Sequence, residues 1–180
     1  AITELAAASL NAYGRLDALV NNASSFYPTP VGQTTQDQWD DLFASNARAP
    51  FFLSQALTPA LRASGQGCMV NVIDIHAEFP LTEHTVYCMA KAALAAMTKS
   101  LAKELAPSVR VNGVAPGAIA WPEGSGEMTS AMQAEILRSV PLGRVGGFDS
   151  IADTIAFLIE GTDYISGQIL AVDGGRSVWG

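Results

Sequence analysis

An α/β domain, a parallel sheet with helices on both faces, is the fold class this sequence predicts, on three observations. Helical and strand-like segments alternate along the chain. The strand candidates are apolar throughout rather than alternating, as strands covered on both faces must be. No internal repeat or linker composition interrupts the series, so residues 1–180 read as one domain. With 180 residues, 49% of them hydrophobic and 15% charged, the chain can bury a real core.

The elements follow in order. Ala1 to Tyr13 carries Ile2, Leu5, Ala6 and Leu10 at helical spacing and stops at Gly14. Leu16 to Asn21 (LDALVN) is a short buried strand, followed by a loop with Pro28, Pro30 and Gly32. Thr35 and Gln38 have capping-box spacing and open a long helical stretch from Trp39 to Leu61, which Pro50 should bend or divide. Cys68 to Ile73 is a second strand and Ile75 to His84 a loop. Thr85 to Leu105 is an Ala-rich helix with Met89, Ala93, Met97 and Leu101 on one face. Val109 to Val114 is a third strand, ending at Pro116 and Gly117, and Ala118 to Gly126 is a loop. Met128 to Leu137 and Ser150 to Ile159 are helices, the latter with Asp149 as candidate N-cap. Gln168 to Val172 is the last strand, followed by Asp173, Gly174 and Gly175.

Composition excludes several classes. A formal charge of −7 and a pI near 4.6 argue against a protein that grips phosphate backbones, so no nucleic-acid partner is expected. No apolar run reaches the length of a membrane span, and Ala1 to Gly14 has no signal-peptide pattern. Cys68 and Cys88 form neither a disulfide framework nor a metal-ligand spacing, and no metal is expected. Two unpaired thiols suit a reducing compartment, and a cytoplasmic location is the expectation.

In parallel sheets ligands bind beyond the carboxyl ends of the strands, which directs attention to residues 21–26, 74–78 and 116–121. Tyr87 and Lys91 lie one turn apart on one helix face, near the helix start. A phenol titrates near pH 10 and is a poor acid or base at neutrality. A lysine cation roughly 4 Å away contributes about 4 kcal/mol at an effective dielectric of 20, about three pKa units, which would bring Tyr87 near a useful value. Alone, this spacing is common and describes many surface pairs. Its context is not common. Asp74 ends a strand thirteen residues before Tyr87, Asn21, Asn22 and Ala23 end the strand before that, and Asn46 lies in the intervening helix. Asn112 to Gly117 (NGVAPG) ends the third strand.

This ordered set resembles the short-chain dehydrogenases/reductases over essentially the whole chain. The resemblance implies a Rossmann-type doubly wound sheet and NAD(P) as hydride carrier. It implies Tyr87 as proton donor and Lys91 as the group that lowers its pKa and holds the nicotinamide ribose. Asn46 would support a water relay to that lysine. Asn21 and Ala23 would line the adenosine side of the cofactor, and Pro116 and Gly117 its nicotinamide. A homotetramer is implied as well, with helices Trp39 to Arg62 and Thr85 to Leu105 at the subunit interface.

Two departures from the family pattern stand out. No G-x-x-x-G-x-G phosphate turn is present. By the resemblance Ala1 follows the first three strands, and two strand–helix units, on the order of 70 residues, fall outside the chain. The residues that choose NADP over NAD would lie there. The usual active-site serine is also replaced by Asp74 at the strand end. The string NNASSFYPTP (Asn21 to Pro30) with Asp74 and YCMAK (Tyr87 to Lys91) resembles the pteridine reductases. That subfamily implies NADPH as cofactor, a pterin or folate as small-molecule substrate, Asp74 working with Tyr87, Phe26 stacking on the pterin, and Ser24 beside both cofactor and substrate. A flat polar heterocycle suits such a site, with one face on an aromatic ring and its edges on hydrogen-bonding groups. A general carbonyl reductase of the same family, or a non-catalytic protein on this fold, are the alternatives.

Other residues have plainer readings. Phe26 and Tyr27 could simply pack under a loop. Trp121 is either core or a substrate contact. His76 and His84 read as solvated histidines and Met128 and Met132 as packing. Asp37, Asp40 and Asp41 read as a solvated helix start favoured by the dipole.

Overall fold

The computed structural model describes residues 2–121 and 128–178. Ala1 and residues 122–126 of the expected loop lie outside these. Helix α1 (Ile2–Tyr13) ends where Gly14, at φ 70°, returns its N–H to the Leu10 carbonyl. Strand β1 (Ala18–Asn21) follows, then helix α2 (Gln36–Phe43). The capping box is present: Thr35 Oγ1 accepts from the Gln38 N–H at 3.2 Å, and the Gln38 side chain accepts from the Thr35 N–H at 2.9 Å.

The long helical stretch divides just ahead of Pro50, as a π-helical turn (Ala44–Arg48) before helix α3 (Ala49–Ala63). Pro50 sits in the first turn of α3, where a missing N–H is tolerated. Strand β2 (Gly67–Val72), helix α4 (Thr85–Leu105) and strand β3 (Val109–Pro116) match the expected elements closely. Helix α5 (Ser130–Arg138) starts behind Thr129, whose hydroxyl accepts from the Met132 N–H. Helix α6 (Phe148–Ala156) continues into a second π turn (Phe157–Gly161), and strand β4 (Ile169–Val172) completes the series. Asp149 is not the N-cap of α6. That position is Gly147, at φ 75°, and Asp149 lies in the first turn, where its charge still meets the positive helix end.

All four strands are parallel, in the order β1-β2-β3-β4, with Asn21 opposite Asn71 and Asn71 opposite Gly113. Alternation along the strands separates two cores. Leu19, Met69, Val109 and Val111 face α1, α3 and α4, packing against Ala6, Leu57, Leu61, Ala102 and Leu105. Cys68, Val70 and Val114 face the other way, against Leu158, Ile151 and Ile155 of the α6 region. The sheet is therefore doubly wound.

A buried amide chain crosses the first of these layers. Asn21 Nδ2 donates to Asn71 Oδ1 at 2.8 Å and to Ser54 Oγ at 3.2 Å, and Asn71 Nδ2 donates to Thr98 Oγ1 at 2.8 Å. Polar groups this deep are costly unless paired. These are, and they tie β1 and β2 to α3 and α4 just below the carboxyl ends of the strands.

Candidate active site at the carboxyl ends of the strands

The chain leaves β2 at Val72 and two residues later places Asp74 in extended backbone. Asp74 Oδ1 accepts from the His76 N–H at 2.8 Å, capping a short 3₁₀ turn (Ile75–Ala77). With one carboxylate oxygen fixed by the backbone, the other, Oδ2, accepts from the Tyr87 hydroxyl at 2.7 Å. Tyr87 is in the first turn of α4, buried among Leu42, Val86 and Cys88.

Lys91, one turn on, is only 3% exposed and donates to the Val72 carbonyl at 2.9 Å; its Nζ lies 5.7 Å from the Tyr87 ring centre. Asp74, Tyr87 and Lys91 are thus brought together from a strand end and one helix face.

Electrostatics here run opposite to the expectation for the tyrosine. Burial, and then the Asp74 charge and hydrogen bond, push the Tyr87 phenol well above its ordinary value. The cause is local. The carboxylate touches the hydroxyl, whereas Lys91 directs its charge to a carbonyl and is itself brought down to about 8 by burial, a shift that Asp74 opposes. Tyr87 and Asp74 are coupled through this one hydrogen bond, and the raised Tyr87 value keeps the proton on the phenol.

Segment 22–30 passes over this group. Asn46, fully buried in the π turn, anchors it: Ser24 Oγ donates to Asn46 Oδ1 at 2.6 Å, and Asn46 Nδ2 donates to the Ser25 carbonyl at 2.9 Å. The Asn46 side chain is therefore fully engaged. Its backbone carbonyl cannot receive the usual i+4 donor, because position 50 is proline. Tyr27 Oη donates to Asp41 Oδ2 at 2.9 Å and fastens the segment to α2. Phe26 is 56% exposed, with its ring centre 4.8 Å from that of Tyr87, edge to face, and 4.7 Å from the His84 imidazole in a stacked arrangement.

The remaining expected residues are less gathered. The Asn21 side chain is turned into the sheet by its bonds to Ser54 and Asn71, while Ala23 is exposed. Pro116 and Gly117 end β3, and Gly117 packs so closely on Asp173 that a Cβ there would lie 2.6 Å from the Asp173 Cβ. Trp121 is half-buried beside the segment outside the described residues. Two residues gain a place that the sequence reading did not give them. His84 stacks on Phe26, a contact its position three before Tyr87 on the same helix end could have suggested. Thr29 is buried between this segment and α4, and nothing in its surroundings in the sequence signals that.

Two cavities lie nearby or apart. One of about 540 Å³ opens between α4 and β4, lined by Asp74, Phe79, Ala92, Lys99 and Ile169. A larger one of about 800 Å³, with Asp17, Gly67, Arg110 and Glu160, is at the amino ends of the strands, the wrong end of a parallel sheet for this chemistry.

The donor set suits a ribose diol. Lys91 has three N–H bonds and donates one to Val72, which leaves two for a ligand beside the Tyr87 hydroxyl. Among the described residues no cluster of His, Cys, Asp or Glu could hold a metal ion. Among them, too, no helix is long and apolar enough to cross a membrane.

The chain is similar to known oxidoreductases. The profile of the enoyl-(acyl carrier protein) reductase family matches residues 1–177. Pteridine reductase 1 of Leishmania tarentolae is 40% identical over 92% of this chain and 64% of its own length. L-xylulose reductase of Bos taurus is 36% identical over 93% of this chain and 70% of its own. An apo SCOR enzyme from Clostridium thermocellum superposes with a TM-score of 0.86 at 28% identity, over 98% of this chain and 69% of that one. The chain thus spans less than two thirds of the length of the pteridine reductase it matches.

Proposed function

The chain belongs to the short-chain dehydrogenase/reductase family, and from that premise we propose that it carries the active site of an NADPH-dependent reductase of pterins or folates. One observation supports this reading above the others: the Tyr87 hydroxyl donates to a carboxylate at 2.7 Å, with the Phe26 ring against Tyr87. A pairing of Asp74 with Tyr87 suits reduction of a ring C=N bond, where one carbon gains hydride and the neighbouring nitrogen must gain a proton.

NADPH, when bound, supplies the hydride. Lys91 would hold the ribose diol with its two remaining N–H bonds. Asn21, Ala23, Pro116 and Gly117 lie along the strand ends over which such a dinucleotide would extend. Ser24, held by Asn46, stands where cofactor and substrate would meet. Phe26, more than half exposed, would stack on the heterocycle, and Trp121 would be a further substrate contact.

Tyr87 passes its proton to the ring nitrogen. A nitrogen that has just received negative charge is far more basic than a phenolate, so a phenol with a raised pKa is an adequate donor. Asp74, which accepts from that hydroxyl, would relay the replacement proton to it. The pair as a whole must hold a proton for turnover, so activity falls as pH rises through the apparent pKa of the pair.

A second reading, general carbonyl reduction, is favoured by the near-equal similarity to L-xylulose reductase. The test is NADPH consumption by the full-length protein with oxidised pterins, folates and simple ketones, for the parent and Asp74→Ser. Pterin reduction that Asp74→Ser loses supports the first reading. Ketone reduction that survives the substitution, with no pterin reduction in the parent, supports the second.

The same reading places the protein in a homotetramer. The exposed Phe51, Phe52 and Met89 on α3 and α4 are the apolar surface such contacts would cover. Two free buried cysteines suit a cytoplasmic setting.

A further inference from the structure

We infer that Thr29 is a positioning residue that sets the distance between Phe26 and Tyr87. The inference rests on the proposed stacking of a heterocycle on Phe26. Polar fastenings hold segment 22–30 to the α2 side of the site: Ser24 to Asn46, Asn46 to the Ser25 carbonyl, and Tyr27 to Asp41 and the Gln38 carbonyl. None reaches the helix that carries Tyr87. Thr29 does.

Its N–H donates to the Glu83 carbonyl at 2.6 Å, and its Oγ1 accepts from the Val86 N–H at 3.4 Å. Val86 is at the second position of α4, where the N–H has no partner within the helix. The residue at the N-cap, His84, makes no side-chain cap. Thr29 therefore caps α4 from 57 residues away, with Tyr87 the next residue in the helix.

Two further features fit a segment held to a set geometry. Glu83 adopts φ 62°, a left-handed conformation that non-glycine residues seldom take, and it is its carbonyl that receives the Thr29 N–H. Thr29 is 1% exposed, so no water replaces either bond. The rings on either side of this clamp are those that matter: Phe26, three residues before Thr29, lies between His84 and Tyr87. Without Thr29, Phe26 and the start of α4 are joined by ring contacts and the apolar packing of Tyr27, with no hydrogen bond to fix the gap between the stacking face and the proton donor.

The test compares the parent, Thr29→Val and Thr29→Ser in the full-length protein. Valine keeps the shape and the N–H and removes the cap; serine keeps the hydroxyl. Loss of a helix cap corresponds to about fivefold in an equilibrium constant. Thr29→Val should raise the KM for an oxidised pterin about fivefold, leave NADPH affinity unchanged, and speed amide exchange by a similar factor at residues 24–27 and 84–88. Thr29→Ser should restore all three. A folded Thr29→Val with unchanged exchange in both segments overturns the inference, as does a lower Tm with unchanged KM. If the parent reduces no pterin, the exchange arm decides alone. Faster exchange in the valine variant and normal exchange in the serine variant uphold the clamp while the substrate reading fails.

Discussion

Replacing Asp74 by Asn keeps the shape of the side chain and the acceptor for the His76 N–H, and removes the charge that faces Tyr87. Two causes hold the phenol proton in place, burial first and Asp74 second, so the substitution removes only the second. Two unit charges about 4 Å apart interact by about 4 kcal/mol at an effective dielectric of 20. That is about three pH units, at 1.36 kcal/mol per unit. The Tyr87 phenol should therefore titrate about three units lower in Asp74→Asn than in the parent, while staying above an exposed phenol because it remains buried.

The assay is absorbance of tyrosinate against pH. The chain has four tyrosines, of which Tyr13 and Tyr164 are almost wholly exposed. Tyr27 is held up by burial and then by Asp41, and Tyr87→Phe identifies the remaining transition. A tyrosine that appears in the titration of Asp74→Asn, and vanishes in the double variant with Tyr87→Phe, is the expected result. Identical curves for parent and Asp74→Asn would refute the coupled pair, and the proton path to the substrate with it.

Two more predictions rest on the same geometry. Phe26→Ala should raise the KM for a pterin by the ~0.5–1.5 kcal/mol of an aromatic pair, about two- to tenfold, with NADPH affinity and Tm nearly unchanged because the ring is half exposed; a lower Tm at constant KM would return Phe26 to a packing role. Lys91 contributes a pH dependence of stability whose sign follows from its lowered value. The unfolded chain keeps this proton up to 10.5 and the folded chain releases it near 8, so between those values the unfolded state binds more protons and stability rises with pH. Across that window the gain is on the order of 3 kcal/mol, and below it the burial penalty is fully present. Urea unfolding of the parent and Lys91→Met at about pH 7 and about pH 9.5 isolates this group from Cys68, whose raised value acts in the opposite sense. Lys91→Met should be the more stable at the lower pH, and the difference should shrink at the higher; an equal difference at both would refute the assignment.

The framework was legible in the sequence because its signals are local. Apolar runs of strand length, the Thr35–Gln38 box and the Ala-rich run at 85–105 each determine an element without help from the rest of the chain. The gathering of Asp74, Tyr87 and Lys91 was legible too, since a parallel sheet delivers strand ends and helix starts to one edge.

What the sequence could not convey was where each charge points. Lys91 faces a carbonyl and Tyr87 a carboxylate, which reverses the direction expected for the phenol. Asn21 looked like a ligand at a strand end and is instead a link between two strands and a helix. His84 and Thr29 depend on contacts with residues 57 or 58 positions away, beyond the reach of any local pattern.

The π turn at 44–48 has a consequence for how this sequence can change in length. Leu42 and Leu61 are both fully buried, on either side of it. At about 100° per residue, an uninterrupted α-helix would set the two about 100° apart around the axis. One additional residue taken up in the wider turn cancels that offset and turns both toward the interior. Deleting one residue of this turn would restore regular helix with Leu42 and Leu61 still in phase, whereas adding one would carry one of them about 100° around the axis. Exposed loops elsewhere in the chain can gain or lose residues at little cost. The surplus residue lies in the turn that carries Asn46, so a deletion here would spare the packing of both leucines and remove the turn that presents Asn46 to Ser24 and Ser25.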